Sequence, residues 1–255
     1  MEAQLLRAQR LETAGRIASQ VAHDLANLLA PTIAYADIIK TRLPTGDPAR
    51  DYCDTIVESV ERAADVIQDM QALGRRGILQ QEPVDLNQLV ELMVTQLANI
   101  PNTLEITLAL ASDLPPISGS PAQLMRVLTN LVSNAREAMQ DRGILRIVTD
   151  QLLLDKSVDS NRKIVVGKYV RLAVSDTGCG IPFEIRERIF DPFFTTKVSA
   201  RQHGSGLGLS IVRSIVEDHN GYLDLESEIG KGSTFSIYLP VFGETGQTFQ
   251  ESVQV

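Results

Sequence analysis

The chain has 255 residues, of which 44% are apolar, enough to bury a core in one or two domains. Its formal net charge of -8 argues against nucleic acid or an anionic membrane surface as the main partner, because both would repel it. The cysteines Cys53 and Cys179 lack metal-ligand spacing and indicate a reducing, cytoplasmic compartment. No run reaches the ~20 apolar residues of a membrane span, so we expect no direct membrane contact.

The first predicted elements are two long amphipathic helices. Apolar or small residues recur in alternating steps of three and four from Leu11 to Ile39, and again from Cys53 to Met70. The segment LPTGDP at 43–48 lies between them and predicts a short turn, so the helices should form an antiparallel hairpin. Because two stripes leave apolar surface uncovered, two copies should associate into a dimeric four-helix bundle. The alternative is a single hairpin capped by the rest of the chain.

Past residue 80 the sequence predicts a second domain of mixed elements. Helices are predicted after Asp85, after Ser120, at about 183–189 and at about 207–219, and strands at 104–110, about 143–154 and about 168–175. A final hairpin pairs YLDLES with STFSIYLP, and His219 before it is expected to be a capping or surface residue. These elements favour an α+β layer domain with helices on one face of a mostly antiparallel sheet. The predicted domains are 1–80 and 81–242, followed by a polar tail at 243–255.

A histidine stands beside an aspartate on the first helix, in the segment VAHDLANLLAP at 21–31. Its position relative to the apolar stripe puts His23 on the exposed side, with Asn27 one turn later on the same side. Asp24 can accept a hydrogen bond from the imidazole and fix its tautomer, which leaves the other ring nitrogen free as a nucleophile. Pro31 predicts a kink in this helix about one turn after His23. The alternative is an inert surface histidine.

Three segments of the second domain predict a nucleotide site. NLVSNAREA places Asn130 and Asn134 on one helix face, where two amide oxygens can hold Mg²⁺ and phosphate. In DTGCGIP at 176–182, Asp176 can accept a hydrogen bond from an amino group such as that of adenine, and the glycines admit a flat ligand. GSGLGLSIV at 204–212 is a glycine-rich loop before a helix, whose free N–H groups suit phosphate. The structural alternatives are a hydrated amide pair, a simple turn and a false-positive loop.

Five segments in this order resemble the catalytic core of the two-component sensor histidine kinases, over nearly all of the chain up to about Val241. Segment 21–29 resembles the phosphoacceptor box, NLVSNAREA the asparagine box, DTGCGIP the first glycine box, FDPFFTTK at 190–197 the phenylalanine box, and GSGLGL the second glycine box. The forms HDLANLL, PVDLN and NAREAM are most similar to the nitrogen-regulation-type branch. The resemblance implies that an α/β-sandwich ATP-binding domain follows the helical bundle.

The resemblance also implies roles for single residues. His23 would be the phosphorylated residue, Asp24 its polarising base, and Asn27 the residue that orients water when a partner is dephosphorylated. At the phosphates of the nucleotide, it implies that Asn134 with Asn130 binds Mg²⁺ and that Lys197 lies nearby. At the adenine, it implies that Asp176 recognises N6, that Gly178 and Gly180 lie beside the ring, and that Thr234 holds the base through water. The resemblance further implies that Gly204, Gly206 and Gly208 line a hinge.

The implied activity is autophosphorylation of His23 from ATP with Mg²⁺ in a homodimer, followed by transfer to an aspartate of a response-regulator receiver domain. Dephosphorylation of that domain is a second implied activity. Two positions depart from many relatives, which carry a proline where Leu28 stands and a basic residue where Glu137 stands. Two alternatives stay open: a dimeric scaffold that binds nucleotide without transfer, and an ATPase of the same nucleotide fold from a chaperone or topoisomerase. The second lacks the acidic general base of those enzymes, because Asn130 stands in its place.

Overall fold

The structure is a computed structural model that describes residues 25, 28–74, 82–97, 103–154, 166–196 and 206–243. The chain forms two compact units. The described helical residues up to 74 belong to the first unit, and the described residues of 82–194 and 208–243 belong to the second. No helix within these ranges is both long enough and apolar enough to span a membrane.

A turn stabilised by side chains joins the two helices of the first unit, α1 at residues 28–42 and α2 at Ala49–Gly74. Asp47 Oδ1 accepts a hydrogen bond from the N–H of Ala49 at 2.8 Å, at the start of α2. The guanidinium of Arg50 donates to the carbonyls of Lys40 at 2.8 Å and Leu43 at 3.0 Å. These are carbonyls that the end of a helix leaves unpaired, so α2 caps α1, and the predicted turn at LPTGDP is confirmed.

The hairpin covers only part of its apolar surface. Ala36, Cys53, Val60 and Ile67 are buried. Other apolar side chains are between 43% and 71% exposed, namely Leu28, Tyr35, Ile38, Ile39, Tyr52 and Ile56. Several of them are positions of the predicted stripes, so a single chain leaves a row of apolar side chains in contact with water.

The second unit contains a five-stranded sheet made of β2 (Leu104–Leu110), β4 (Gly143–Leu154), β5 (Gly167–Asp176), β6 (Tyr222–Glu228) and β7 (Gly232–Pro240). The strand order in the sheet is β2-β4-β5-β7-β6. The β2–β4 pair is parallel and the other pairs are antiparallel, as predicted for a mostly antiparallel sheet. A separate two-stranded sheet pairs β1 (Glu82–Val84) with β3 (Ile117–Gly119), and β3 was not predicted.

Three helices cover this sheet and begin or end near the predicted residues. Asp85 caps α3 (Leu86–Gln96) by accepting two backbone N–H groups, Ser120 precedes α4 (Pro121–Met139), and α5 is Gly208–Asp218. Helix α4 packs against α3 and α5 and lies on β4, β5 and β7. The short helix predicted at 183–189 is instead two 3₁₀ turns, Phe183–Ile185 and Arg188–Phe190.

Candidate functional site

Asp176 ends β5 and is the buried acid of the site, with 8% of the residue exposed. Its Oδ1 accepts the N–H of Gly178 at 2.8 Å, the ordinary turn chemistry of Asp-x-Gly, and the backbone N–H of Ser233 also donates to the carboxylate. Burial raises the pKa of Asp176 above its usual value, and the two backbone hydrogen bonds oppose this rise without cancelling it. The carboxylate is therefore a desolvated acceptor, suited to a donor such as an amino group.

Gly178 and Gly180 are needed because their loop packs closely on its neighbours. A Cβ at Gly178 would lie 2.8 Å from Ala138 on α4, and a Cβ at Gly180 would lie 2.1 Å from the carbonyl oxygen of Glu228. Gly180 also has a φ of +73°, in the region that favours glycine. The sequence predicts that these glycines admit a flat ligand, and the structure gives both of them a packing role against α4 and β6.

Asn130 and Asn134 lie one turn apart on α4 and both are half-buried. Asn130 Nδ2 is buried and has no hydrogen-bond partner within the described residues. Its Oδ1 lies beside Gly208, where an added Cβ would be 3.0 Å away. An unpaired buried amide is costly, so this position favours a ligand oxygen or a water that accepts the missing hydrogen bond.

The start of α5 therefore lies beside the Asn130 amide. The free N–H groups and the positive dipole end of a helix suit phosphate, as the glycine-rich segment predicts. Gly206, just before α5, has a φ of +66°. The loop that follows β5 at residues 177–182, here called the Asp176 loop, reaches the same helix at Ala138. Ala138 is about 12 Å along α4 from Asn130 at the helical rise per residue. One helix thus links the buried acid to the asparagine that stands at the start of α5.

Thr234 does not lie on the same face of the sheet as Asp176. The register pairs Asp176 with Ser233 and Ser175 with Thr234, and successive side chains of a strand point to opposite faces. Thr234 Oγ1 is 2.9 Å from Ser175 Oγ, whereas Ser233 is buried on the face of Asp176. The hydroxyl residue beside the acid is therefore Ser233 and not Thr234, whose expected role toward adenine stays a prediction.

The oxygen donors of the site fit a magnesium ion that arrives with phosphate. Within the described ranges, no group of three acidic, histidine or cysteine side chains could hold a metal ion. Mg²⁺ usually keeps several waters and takes one or two protein oxygens together with substrate phosphates. The amides of Asn130 and Asn134 match that limited share of the coordination shell. They do not make a site for a permanently bound ion.

Several predicted site residues lie outside the described residues, namely His23, Asp24, Asn27, Lys197 and Gly204. The structure therefore does not test the predicted nucleophile, its polarising acid, the water-orienting amide or the lysine near the phosphates. Their roles stay predictions.

His219 is buried and bonds through both ring nitrogens. Nδ1 donates to the carbonyl of Ile215 at 2.7 Å, and Nε2 accepts the N–H of Ser120 at 3.1 Å. The capping role expected for His219 is confirmed at the end of α5, and the surface position is wrong, because only 1% of the residue is exposed. Burial lowers its pKa, while the bond to Ile215 and the charge of Asp218 oppose that effect.

Ser227, at the junction of the Asp176 loop with the β6–β7 hairpin, is a further polar residue of the site. Its Oγ accepts the N–H of Ile181 at 2.8 Å and lies 3.0 Å from Ser233 Oγ. Nothing in the alternating pattern of YLDLES distinguishes this serine from a solvent-facing one. Sequence analysis missed it for that reason.

Two known families match the chain. Residues 119–242 match the family described as histidine kinase-, DNA gyrase B-, and HSP90-like ATPase. Residues 13–77 match the His Kinase A (phospho-acceptor) domain. The first match contains the asparagine, glycine and serine residues described above, and the second contains the segment around His23.

Individual relatives resemble the chain over most of its length. Sensor kinase CckA of Brucella abortus (strain 2308) is 34% identical over 242 residues, 94% of this chain and 25% of that protein. The crystal structure of full-length ShkA in complex with AMPPNP has 25% identity and a TM-score of 0.67, over 88% of this chain and 45% of that chain. Histidine kinase ThkA in complex with response regulator protein TrrA has 25% identity and a TM-score of 0.60, over 94% and 65% of the two chains. The chain thus spans a quarter of the length of CckA.

Proposed function

Because this chain belongs to the two-component sensor histidine kinases and carries their phosphoacceptor and ATP-binding domains, we propose that it phosphorylates His23 from ATP. A ring nitrogen of His23 attacks the γ-phosphorus while the bond from that phosphorus to the ADP oxygen breaks, which gives a phosphohistidine and ADP. Phosphoryl transfer of this kind depends mostly on positioning and charge neutralisation, so little covalent work falls to the protein.

The single observation that carries this proposal is the position of two buried polar groups near the same helix, α4. One is an acid, and the other is an amide without a hydrogen-bond partner among the described residues. Asp176 offers a desolvated acceptor for the adenine amino group, and Asn130 offers a free donor beside the N-terminus of α5. These two ends suit the two ends of a nucleotide, one with an amino purine and the other with phosphates.

The asparagine pair serves the phosphate end. Asn134, with Asn130, holds Mg²⁺, and the ion supplies neutralisation of the charge on the phosphates. Gly208 lets the start of α5 approach Asn130 closely, because a side chain there would meet its amide at 3.0 Å. Lys197 ends the phenylalanine box, and we assign it to the phosphates on the motif alone. Gly204 and Gly206 lie between that box and α5, and we assign them to the hinge of this segment on the same ground.

At the adenine end, Ser233 takes the part that the family resemblance implied for Thr234. The backbone N–H of Ser233 bonds the Asp176 carboxylate, and its hydroxyl lies on the same face of the sheet. Gly178 and Gly180 hold the loop in the close packing that places this acid.

In the first unit, Asp24 orients the His23 imidazole, and Asn27 orients water for dephosphorylation of the partner. The phosphoryl group then passes to an aspartate of a response-regulator receiver domain. The ThkA structure contains a response regulator protein, which supports a partner of this class. Assignment to the nitrogen-regulation-type branch and the domain limits of 1–80 and 81–242 also stay proposals.

The chain acts as a homodimer. The row of exposed apolar side chains on the hairpin supports this, because a second copy is the partner that a phosphoacceptor hairpin of this family implies. Two hairpins then bury their stripes in a four-helix bundle.

The direct test is autophosphorylation with radiolabelled ATP and Mg²⁺. We expect a label on the protein that is lost in acid and stable in base, as for a phosphoramidate. The label should be absent in the variant His23→Gln and strongly reduced in Asn134→Ala. The exposed neighbour on α4, tested as Ser133→Ala, is the matched control and should label like the parent chain.

Three results would contradict this proposal. Binding of ATP without any label would favour the dimeric scaffold that transfers nothing. An undiminished label in His23→Gln would refute the assignment of the phosphorylated residue. Hydrolysis of ATP without a protein label would favour an ATPase of the chaperone or topoisomerase kind.

A further inference from the structure

We propose that Ser227 fixes the direction of the Ser233 hydroxyl, so that Ser233 faces the ligand as a hydrogen-bond acceptor and helps the site to choose an amino purine. Ser227 is a positioning residue in this account, since it acts through Ser233. The inference rests on the nucleotide site proposed above.

The hydroxyl of Ser227 contacts three polar groups at once. Its Oγ accepts the N–H of Ile181 at 2.8 Å. It lies 3.0 Å from the carbonyl oxygen of Gly232 and 3.0 Å from Ser233 Oγ. The first group belongs to the loop after Asp176, and the other two belong to the beginning of β7.

The numbers of protons and lone pairs decide the direction of these bonds. A serine hydroxyl has one proton and two acceptor lone pairs. The N–H of Ile181 takes one lone pair of Ser227, and the carbonyl of Gly232 can only accept. All three contacts are satisfied together when Ser227 donates its proton to Gly232 and receives the proton of Ser233 on its second lone pair.

This direction commits the single proton of Ser233 to Ser227. What Ser233 offers to a ligand is then lone pairs alone, next to the Asp176 carboxylate that its own N–H holds. The site therefore presents two acceptors on one face. A purine with an amino group at position 6 donates to such a surface, and a purine with a carbonyl there does not.

The surroundings hold this arrangement in place. A Cβ at Gly180 would lie 2.1 Å from the carbonyl oxygen of Glu228, and a Cβ at Gly232 would lie 1.9 Å from that of Asp176. The loop and the hairpin therefore approach each other as closely as backbone allows. Arg186 adds a clamp, because its guanidinium donates to the carbonyls of Ser227 and Ile181. The loop after Asp176, the β6–β7 hairpin and Arg186 therefore surround the Ser227 hydroxyl.

The test compares binding of ATP and inosine triphosphate, which differ at position 6 of the purine, by titration calorimetry with the full chain and Mg²⁺. We expect the parent chain to prefer ATP. In Ser227→Ala the preference should fall by roughly three- to tenfold, the value of one hydrogen bond, because the Ser233 proton is released to donate. The hydroxyl-retaining Ser227→Thr should keep the preference.

The ratio of the affinities for ATP and inosine triphosphate distinguishes this role from a purely structural one. Loss of a purely structural residue would weaken the binding of both nucleotides alike. Ser227→Cys nearly keeps the side-chain volume but replaces the hydroxyl with a thiol that forms only weak hydrogen bonds. If Ser227→Ala does not fold, Ser227→Cys takes its place and should show the same fall in the preference for ATP. Ser236→Ala removes a buried hydroxyl from the other face of β7 and is the matched control.

The cycle with Ser233→Ala completes the design. Because Ser227 acts through Ser233, its substitution should not change the ratio further once Ser233 is alanine. An unchanged ratio in folded Ser227→Ala or Ser227→Cys, or independent effects of the two serines, would overturn the inference. A parent chain that binds neither nucleotide would instead refute the proposed function.

Discussion

The His219 imidazole joins the ends of two helices that lead to the candidate site. It accepts the N–H of Ser120, just before α4, and donates to Ile215 in the last turn of α5. Gly119 makes room for it, because a Cβ there would lie 2.6 Å from the ring. The ring must be neutral to accept a hydrogen bond at Nε2, and burial lowers its pKa below the ordinary 6.5.

This neutral histidine predicts a stability that depends on pH. Between the lowered folded pKa and 6.5 the unfolded chain binds more protons, so stability falls as the pH decreases from 6.5 and is fully present above it. Urea unfolding at a series of pH values should show this loss in the parent chain. His219→Gln, which keeps an amide acceptor and does not titrate, should show a smaller slope over the same range. An equal slope in both proteins would contradict the prediction.

Single site residues were predictable where residue type and spacing carry the chemistry. Asp176 and the Asn130–Asn134 pair were predicted in this way, and the structure gives Asp176 a buried carboxylate and Asn130 a buried amide nitrogen without a partner among the described residues. The sequence could not show that Ser233 and not Thr234 lies beside Asp176. Adjacent hydroxyl residues look alike until the register with β5 assigns each to a face of the sheet. The burial of His219 was also hidden, since its acceptor role depends on Ser120, far away in sequence.

At the scale of elements, the loop after β5 and the hairpin of β6 and β7 form one closely packed junction. Gly180 and Gly230 have similar left-handed φ values, +73° and +78°. They differ in their surroundings, since a Cβ at Gly180 would overlap the carbonyl of Glu228, while a Cβ at Gly230 would have nothing within 4 Å. The pair therefore separates backbone strain from close packing.

We expect Gly230→Ala to lower the free energy of unfolding by about 1 kcal/mol, the ordinary penalty of a left-handed residue. Gly180→Ala should lose a further ~1–3 kcal/mol from overpacking. It should also weaken ATP binding, because the loop directly follows Asp176 and donates the N–H of Gly178 to its carboxylate. Chemical unfolding and calorimetric titration would measure the two effects. Equal losses in the two variants would show that the junction tolerates the added methyl group.

The elements themselves were largely predictable, because their periodicity is strong. The helices after Asp85 and Ser120 and the strand Leu104–Leu110 are confirmed. The three-residue strand Ile117–Gly119 was missed because so short a run has no period to detect. The segment at 183–189 forms two 3₁₀ turns instead of the predicted helix. Over so few residues, the spacing of apolar side chains in 3₁₀ turns resembles that of an α-helix.

At the scale of the whole molecule, the two units differ in how completely they bury their apolar residues. In the second unit, α4 and α5 pack on the sheet and α3 packs on α4. The hairpin of the first unit buries Ala36 and Cys53 yet leaves Tyr35 and Ile39 more than half exposed. Burying a large apolar side chain contributes about 1.5–3 kcal/mol, and a two-fold interface counts each such side chain twice.

A charge within this exposed row should therefore separate the dimer. We expect the parent chain to sediment with twice the mass of the 27.9 kDa chain, and Ile39→Glu to sediment as a monomer, because two symmetric copies of the carboxylate would be buried unpaired. Thr41→Glu places the same charge at an exposed polar position of α1 and should leave the dimer intact. A dimeric Ile39→Glu variant would mean that another surface joins the two copies, and a monomeric parent chain would remove the bundle from the proposal.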